Sequence, residues 1–350
     1  MKVHQLDLSI ALGEYAHQII CQNFQRFVDR EESVFQDNDP EPLHQMRVGM
    51  RQLRTAVRIF STAIVLPKGV SHSSIGVIAK SLGETRDLDV LQLDLTNRYQ
   101  LLLPKTEQSK FDKVLKHLHQ KREQSFLDLK KTLNGDRYQK LKRSIQAWIE
   151  KPTYTPVGNL AILEILPDLL LPLICELFLH PGWLVGTRIQ AGKAASIPIE
   201  NVEELNQQLR QFGDLLHSLR KQIKGVRYQA EFFAAFYEPS YMQRIAEFKA
   251  IQEILGQFQD RVVLRQFLES TLNADLGKVL PTIDREMQQD ETAFWQNWQP
   301  LQQSYLSLEF RESLRSLLTT PLNSATTVSQ KSKKKAKGST SSEDNPLNSN

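Results

Sequence analysis

Two eleven-residue segments, HQMRVGMRQLR from His44 and HSLRKQIKGVR from His217, each place a histidine ahead of cations three, seven and ten residues later. At about 100° per helical residue, His44, Arg47, Arg51, Arg54 and Arg58 fall within an arc of roughly 80°. Met46, Met50, Leu53, Val57 and Phe60 occupy the opposite side, so each helix is expected to turn a cationic stripe away from its own core. The second stripe is His217, Arg220, Lys224 and Arg227, with Lys221 beside it. Guanidinium forks and an ammonium in a row suit phosphate oxygens. No acid interrupts either stripe between its first and last cation, and like charges at this spacing cost a few tenths of a kcal/mol per pair. Compensation is therefore expected from outside the helix: from solvent, from acids such as Asp87 and Asp260, or from a bound anion. The recurrence of the pattern favours the anion.

The recurrence has a fixed register. His44 and His217 are 173 residues apart (44 to 217), and so are LGETRDLDVL and LGQFQDRVVL (82 to 255). In that register Arg51 pairs with Lys224, Asp87 with Asp260, Arg58 with Glu231, Arg86 with Gln259 and Asp89 with Val262. Two independent matches at one offset indicate an internal repeat.

The elements that position these stripes read as helices throughout. Apolar periodicity predicts helices over 12–35, 43–64, 75–82, 88–103, 111–133 and 138–149, then over 201–236, 241–255, 262–272, 284–297 and 304–318. Sustained alternation of β-branched residues is missing, which predicts an all-α fold. The helices group into two halves, 1–150 and 196–318, related by the repeat. An apolar, Pro- and Gly-punctuated connector spans 151–195. The Ser/Thr/Lys-rich segment 319–350, with KSKKKAKG inside it, has little to bury and is expected to be a disordered tail.

Length and composition set the outer bounds. The 350 residues carry a formal net charge of only +4, so the positive charge is local. Cys21 and Cys175 lack the spacing of a zinc site or a disulfide framework, and the N-terminus lacks a cleavable signal pattern. A cytoplasmic protein is expected. The greasiest stretch, 160–185, contains Glu164, Asp168, Glu176 and three prolines, so no membrane span is expected. Trp295 and Trp298 read as core, and His180 in its HPGW turn as a local hydrogen-bonding residue.

At HQMRVGMRQLRTAVRIF, LGETRDLDVLQ, HSLRKQIKGVRYQAEFF and LGQFQD the chain resembles the CHAD family, the conserved histidine α-helical domains, over about residues 8–318. The resemblance implies that the two halves are pseudo-symmetric helical bundles enclosing a basic groove or cavity, and it implies binding of inorganic polyphosphate, with residence at polyphosphate granules. It assigns phosphate contacts to His44, Arg47, Arg51, Arg54, His217, Arg220, Lys224 and Arg227, with Arg58 and Lys221 as further candidates. Asp87 and Asp260 are implied as partners that orient the arginines. The Glu-x-Glu-x-Lys strand of the triphosphate tunnel domains that accompany many relatives is missing from the sequence. No catalysis, metal or cofactor is expected: the sequence shows no phosphate-cradling glycine loop or carboxylate-held metal motif. The main competitor is a nucleic-acid module, since phosphate contacts do not report what joins the phosphates. Tyr228 is the one aromatic residue on the stripes suited to stacking on a base. The remaining alternatives are a phosphohydrolase or a metal-binding accessory protein.

Overall fold

A computed structural model of the chain describes residues 7–197 and 202–322. The segment 323–350, and with it most of the expected tail, lies outside the described residues. The elements in order are α1 (Leu12–Val28), α2 (Glu31–Gln36), α3 (Pro40–Ile59), α4 (His72–Asp94), α5 (Lys105–Asn134), α6 (Asp136–Glu150) and α7 (Ile162–Phe178). A hairpin of β1 (Thr187–Gln190) and β2 (Lys193–Ser196) follows, then α8 (Val202–Glu231), α9 (Pro239–Leu272), α10 (Leu276–Val279), α11 (Pro281–Leu306) and α12 (Leu308–Leu318).

The helix carrying the first stripe starts where local chemistry sets it. Asp39 caps α3 by accepting from the Glu41 N–H at 2.8 Å, and Pro40 supplies a ready-made first turn. Met46, Met50, Leu53 and Ala56 are fully buried along its inner face. Ser71 and Ser74 form a capping box at the start of α4. The carrier of the second stripe, α8, buries Leu216, Leu219, Ile223 and Val226. One continuous core joins these faces with α1, α7 and α12. A second, smaller core joins Phe111 and Leu118 of α5 to Leu264 and Leu268 of α9 and Met287 of α11. Near the first core's centre Phe60 packs edge-on against Phe233, centroids 5.6 Å apart. Tyr15 of α1 also donates its hydroxyl to the Phe232 carbonyl.

The fold is helical as expected, with differences in detail. Helix α4 runs unbroken through the expected gap at 83–87, and α9 through the one at 256–261. The apolar connector holds a helix, α7, with Pro167 and Pro172 inside it. Each proline costs roughly 3 kcal/mol in an exposed helix. Burial of Ile162, Leu166, Leu170, Ile174 and Leu177, at about 1.5–3 kcal/mol per side chain, outweighs that cost. The connector also holds the one hairpin among the described residues, turned by Ala191 and Gly192 at φ 48° and 76°. Paired positive φ is the two-residue hairpin geometry normally signalled by Asn-Gly.

Candidate anion site

Cations of the two stripes come close to one another. Arg51 of α3 lies over the Tyr228 ring of α8 at 4.4 Å from its centroid, and Arg227 lies over the same ring at 4.2 Å. Across this contact sits Lys224, whose ammonium is pushed down to about 8 by burial first, then by Arg51, Arg47 and Arg220, with Asp87 opposing. Burial also lowers Arg51, with Tyr228 and Glu231 opposing the shift and Arg47 and Arg227 adding to it. Cations of both helices therefore share one patch of low-dielectric space. Removing each from water without a counter-charge is costly.

Two of the stripe cations have acidic partners. Arg47 donates to Asp87 at 3.2 Å. Arg227 pairs with Glu231 one turn on, and its Nε donates to Gln252 at 3.0 Å. The expectation that no intrahelical bridge could neutralise a stripe thus fails at its last position, because Glu231 follows Arg227 by four residues. Among the described residues Arg51, Arg54, Arg58, Arg220, Lys221 and Lys224 have no ion pair. The Nε atoms of Arg51, Arg54 and Arg220, and Nδ1 of His217, are buried with no hydrogen-bond partner. Asp260 reaches Arg220 by charge without an ion pair, and burial raises its carboxyl despite that arginine.

Glycines fix where the arginines lie. A Cβ at Gly83 would stand 3.6 Å from the Arg47 Nε, and one at Gly256 would stand 3.1 Å from the Arg220 Nε. Both pairs occupy equivalent positions of the repeat, so the Gly of each LG motif is a seat for a stripe arginine. Arg54 rests in the same way on Gly76, where a Cβ would come within 3.1 Å of its Cζ.

The histidines stand at one end of each stripe. His44 is lowered by burial, then by Arg86, with Arg51 and Arg47 adding to the effect and Glu41 opposing it. His217 is lowered by burial, then by Lys221 and Arg220, with Lys224 adding and Asp214 opposing. Arg86 is a site residue that sequence reasoning overlooked. Its Nε is buried and unpartnered, and its remaining hold is Asp89 at 3.9 Å, which Arg122 shares at 2.9 Å. Its presence in the first LG motif was the available signal. His72, lowered by burial and by Arg54 and Arg58, extends the patch beyond the other end of the first stripe. Arg58 there is exposed. The lone histidine of the HPGW turn, His180, accepts from the Gly182 N–H at 3.0 Å and touches Ser218. Trp295 and Trp298 are core, at 2% and 0% exposure.

Among the described residues no group of three His, Cys, Asp or Glu side chains is placed to share a metal ion. No described helix is long and apolar enough to cross a membrane.

A family model for the CHAD domain matches residues 18–269, which include both stripes and both LG motifs. The crystal structure of the CHAD domain from the plant Ricinus communis is similar, with 22% identity, a TM-score of 0.56 and coverage of 92% of this chain and 97% of that one. PptA from Streptomyces chartreusis is similar at 11% identity and a TM-score of 0.60, covering 84% and 99%. At these identities the likeness is one of fold. No curated protein matches the chain.

Proposed function

The chain belongs to the CHAD domain family, and from that premise we propose that it binds inorganic polyphosphate through both stripes together and does not transform it. The observation that carries this reading is the depressed Lys224, held beside Arg47, Arg51 and Arg220. Cations converge there from two helices, and most of them lack a counter-charge. A linear polyanion supplies what the site lacks: oxygens for the unpartnered guanidinium nitrogens and charge for the ammonium.

Positions equivalent in the repeat also meet one another, as they do about a twofold axis. Phe60 packs on Phe233, Arg51 acts on Lys224, and Asp87 acts on Asp260. These contacts support a pseudo-twofold pairing of two bundles with the basic groove between them. The nucleic-acid alternative needs an aromatic face for base stacking. Tyr228 is 6% exposed and two guanidinium groups already lie over it, so the site favours a polymer without bases.

Charge reversal at Arg51→Glu together with Lys224→Glu tests the site. Each lost charge-assisted contact is worth about 1.5–3 kcal/mol, so polyphosphate affinity should fall by at least about a hundredfold. Circular dichroism should remain that of a folded helical protein. Undiminished binding by the folded double variant would remove the stripes from the function, easy displacement by equal-charge single-stranded DNA would favour the nucleic-acid reading, and release of phosphate would make the protein an enzyme.

A further inference from the structure

The face of α8 that carries the second stripe continues toward its N-terminus through Asp214 and Arg210, and there its character reverses. A cavity of about 700 Å³ opens between α8, α9 and α11, with His217 at its boundary with the stripe. Leu209, Phe258 and Val262 contribute apolar wall, and Asp214, Glu269, Asp275, Asp284 and Glu291 contribute carboxylates.

Three of these acids are already engaged. Asp284 pairs with Arg265 at 2.6 Å, Glu269 accepts from the Leu276 N–H at 3.3 Å, and Asp275 caps α10 by accepting from the Lys278 N–H. Asp214 and Glu291 have no hydrogen bond or ion pair among the described residues. Glu291 is the telling one, since it lines the cavity and is only 8% exposed. Burial without a partner penalises the charged form of a carboxylate, and it accordingly raises the Glu291 carboxyl. The two cations near enough to help are committed elsewhere, Arg265 to Asp284 and Arg261 to Asp94 and Asp290.

The geometry points to a binding site for a linear organic polycation, a diamine or polyamine, that reaches between Asp214 on α8 and Glu291 on α11 and lays its methylenes over Leu209, Phe258 and Val262. Spacing argues for an organic cation over an inorganic one. The carboxylates are dispersed around the cavity, and no group of three converges as a metal ion needs. An extended amine with charges at its ends and apolar length between them matches walls of alternating character. The site does not rest on the polyphosphate reading: His217 at the boundary aside, it uses other side chains and the opposite sign of charge.

Titration calorimetry of the full chain with spermidine at fixed ionic strength tests the assignment, with magnesium chloride at matched ionic strength as the control. Saturable one-to-one binding is expected, weakened at least fivefold by Glu291→Gln and by Asp214→Asn. Arg51→Glu with Lys224→Glu should leave it intact. Asp214 is exposed and unpaired, so Asp214→Asn decides the matter if Glu291→Gln fails to fold. Absence of saturable heat, equal affinity in the folded acidic variants, or displacement by magnesium at constant ionic strength would each overturn the site.

Discussion

Lys224 stands where the first repeat has Arg51, and it is the residue whose charge the fold strains most visibly. Its pKa of about 8 places a titration just above neutrality, and a polyanion binds the ammonium form. Below that value the free protein is already charged, so this residue adds little pH dependence. Above it binding must take up a proton, and affinity should fall by up to about tenfold per pH unit until the higher pKa of the complex is passed. Lys224→Arg should abolish that alkaline loss. The histidines act on the other side of neutrality: with His44 and His217 lowered in the free protein, affinity should rise as the pH falls from the higher pKa values of the complex toward those lowered free-state values and then level, and this acid arm should persist in Lys224→Arg. The same depression carries a cost for folding. Between about 8 and the ordinary lysine value of 10.5 the unfolded chain binds more protons than the folded one, so the residue's unfavourable contribution fades as pH rises through that window. Lys224→Met should therefore raise the melting temperature at pH 7 while weakening polyphosphate binding, a stability–function exchange that thermal denaturation and a binding titration can read side by side.

At the scale of elements, the LG motifs explain both why the site forms and why its helices were misread. A glycine within an apolar-periodic run resembles a stop signal, so the sequence predicts breaks after Leu82 and Leu255. Both helices continue, because Arg47 lies against Gly83 and Arg220 against Gly256, and a constraint imposed by a neighbouring helix leaves no trace in local periodicity. The two seats differ in tightness, which separates helix propensity from arginine placement. Gly83→Ala meets ordinary contact at 3.6 Å, so it should gain up to about 1 kcal/mol of helix stability and leave binding unchanged. Gly256→Ala meets Arg220 at 3.1 Å. There the guanidinium must move, so affinity should drop severalfold while the melting temperature holds or rises. The connector was illegible for the converse reason. Its prolines and glycines are real punctuation, but burial of the inner face of α7 overrides two of them, and Ala191 adopts a positive φ that its residue type does not advertise. The stripes themselves were legible, since helical spacing alone groups His44 with Arg47, Arg51 and Arg54.

The approach of the two stripes' cations belongs to the whole molecule. Arg51 and Tyr228 are brought together by two cores and a chain reversal between them, and no local pattern encodes that meeting. The asymmetry of the two stripes was visible as Lys224, Glu231 and Gln259, but its consequence needed side-chain placement. Arg227 is held by Glu231 and Gln252, so the second stripe contributes chiefly Arg220, Lys221 and Lys224, whereas Arg51, Arg54 and Arg58 of the first remain unpaired. Substitutions at Arg51 and Arg54 should accordingly cost more affinity than substitution at Arg227. Six unpaired cations also set the salt response. At roughly 0.7–0.9 released counterions per phosphate contact, the logarithm of affinity should fall against the logarithm of salt concentration with a slope of about −4 to −5. A single contact point would give a slope near −1. Because the cations are spread over two helices, chains too short to touch both should bind weakly. Affinity should climb with polymer length and then level once the two stripes are spanned. Ligand that binds the folded state alone raises its stability, so the melting temperature at fixed total phosphate should follow the same curve. Equal stabilisation by orthophosphate and by long chains would mean that the stripes act as separate anion sites and do not form one track.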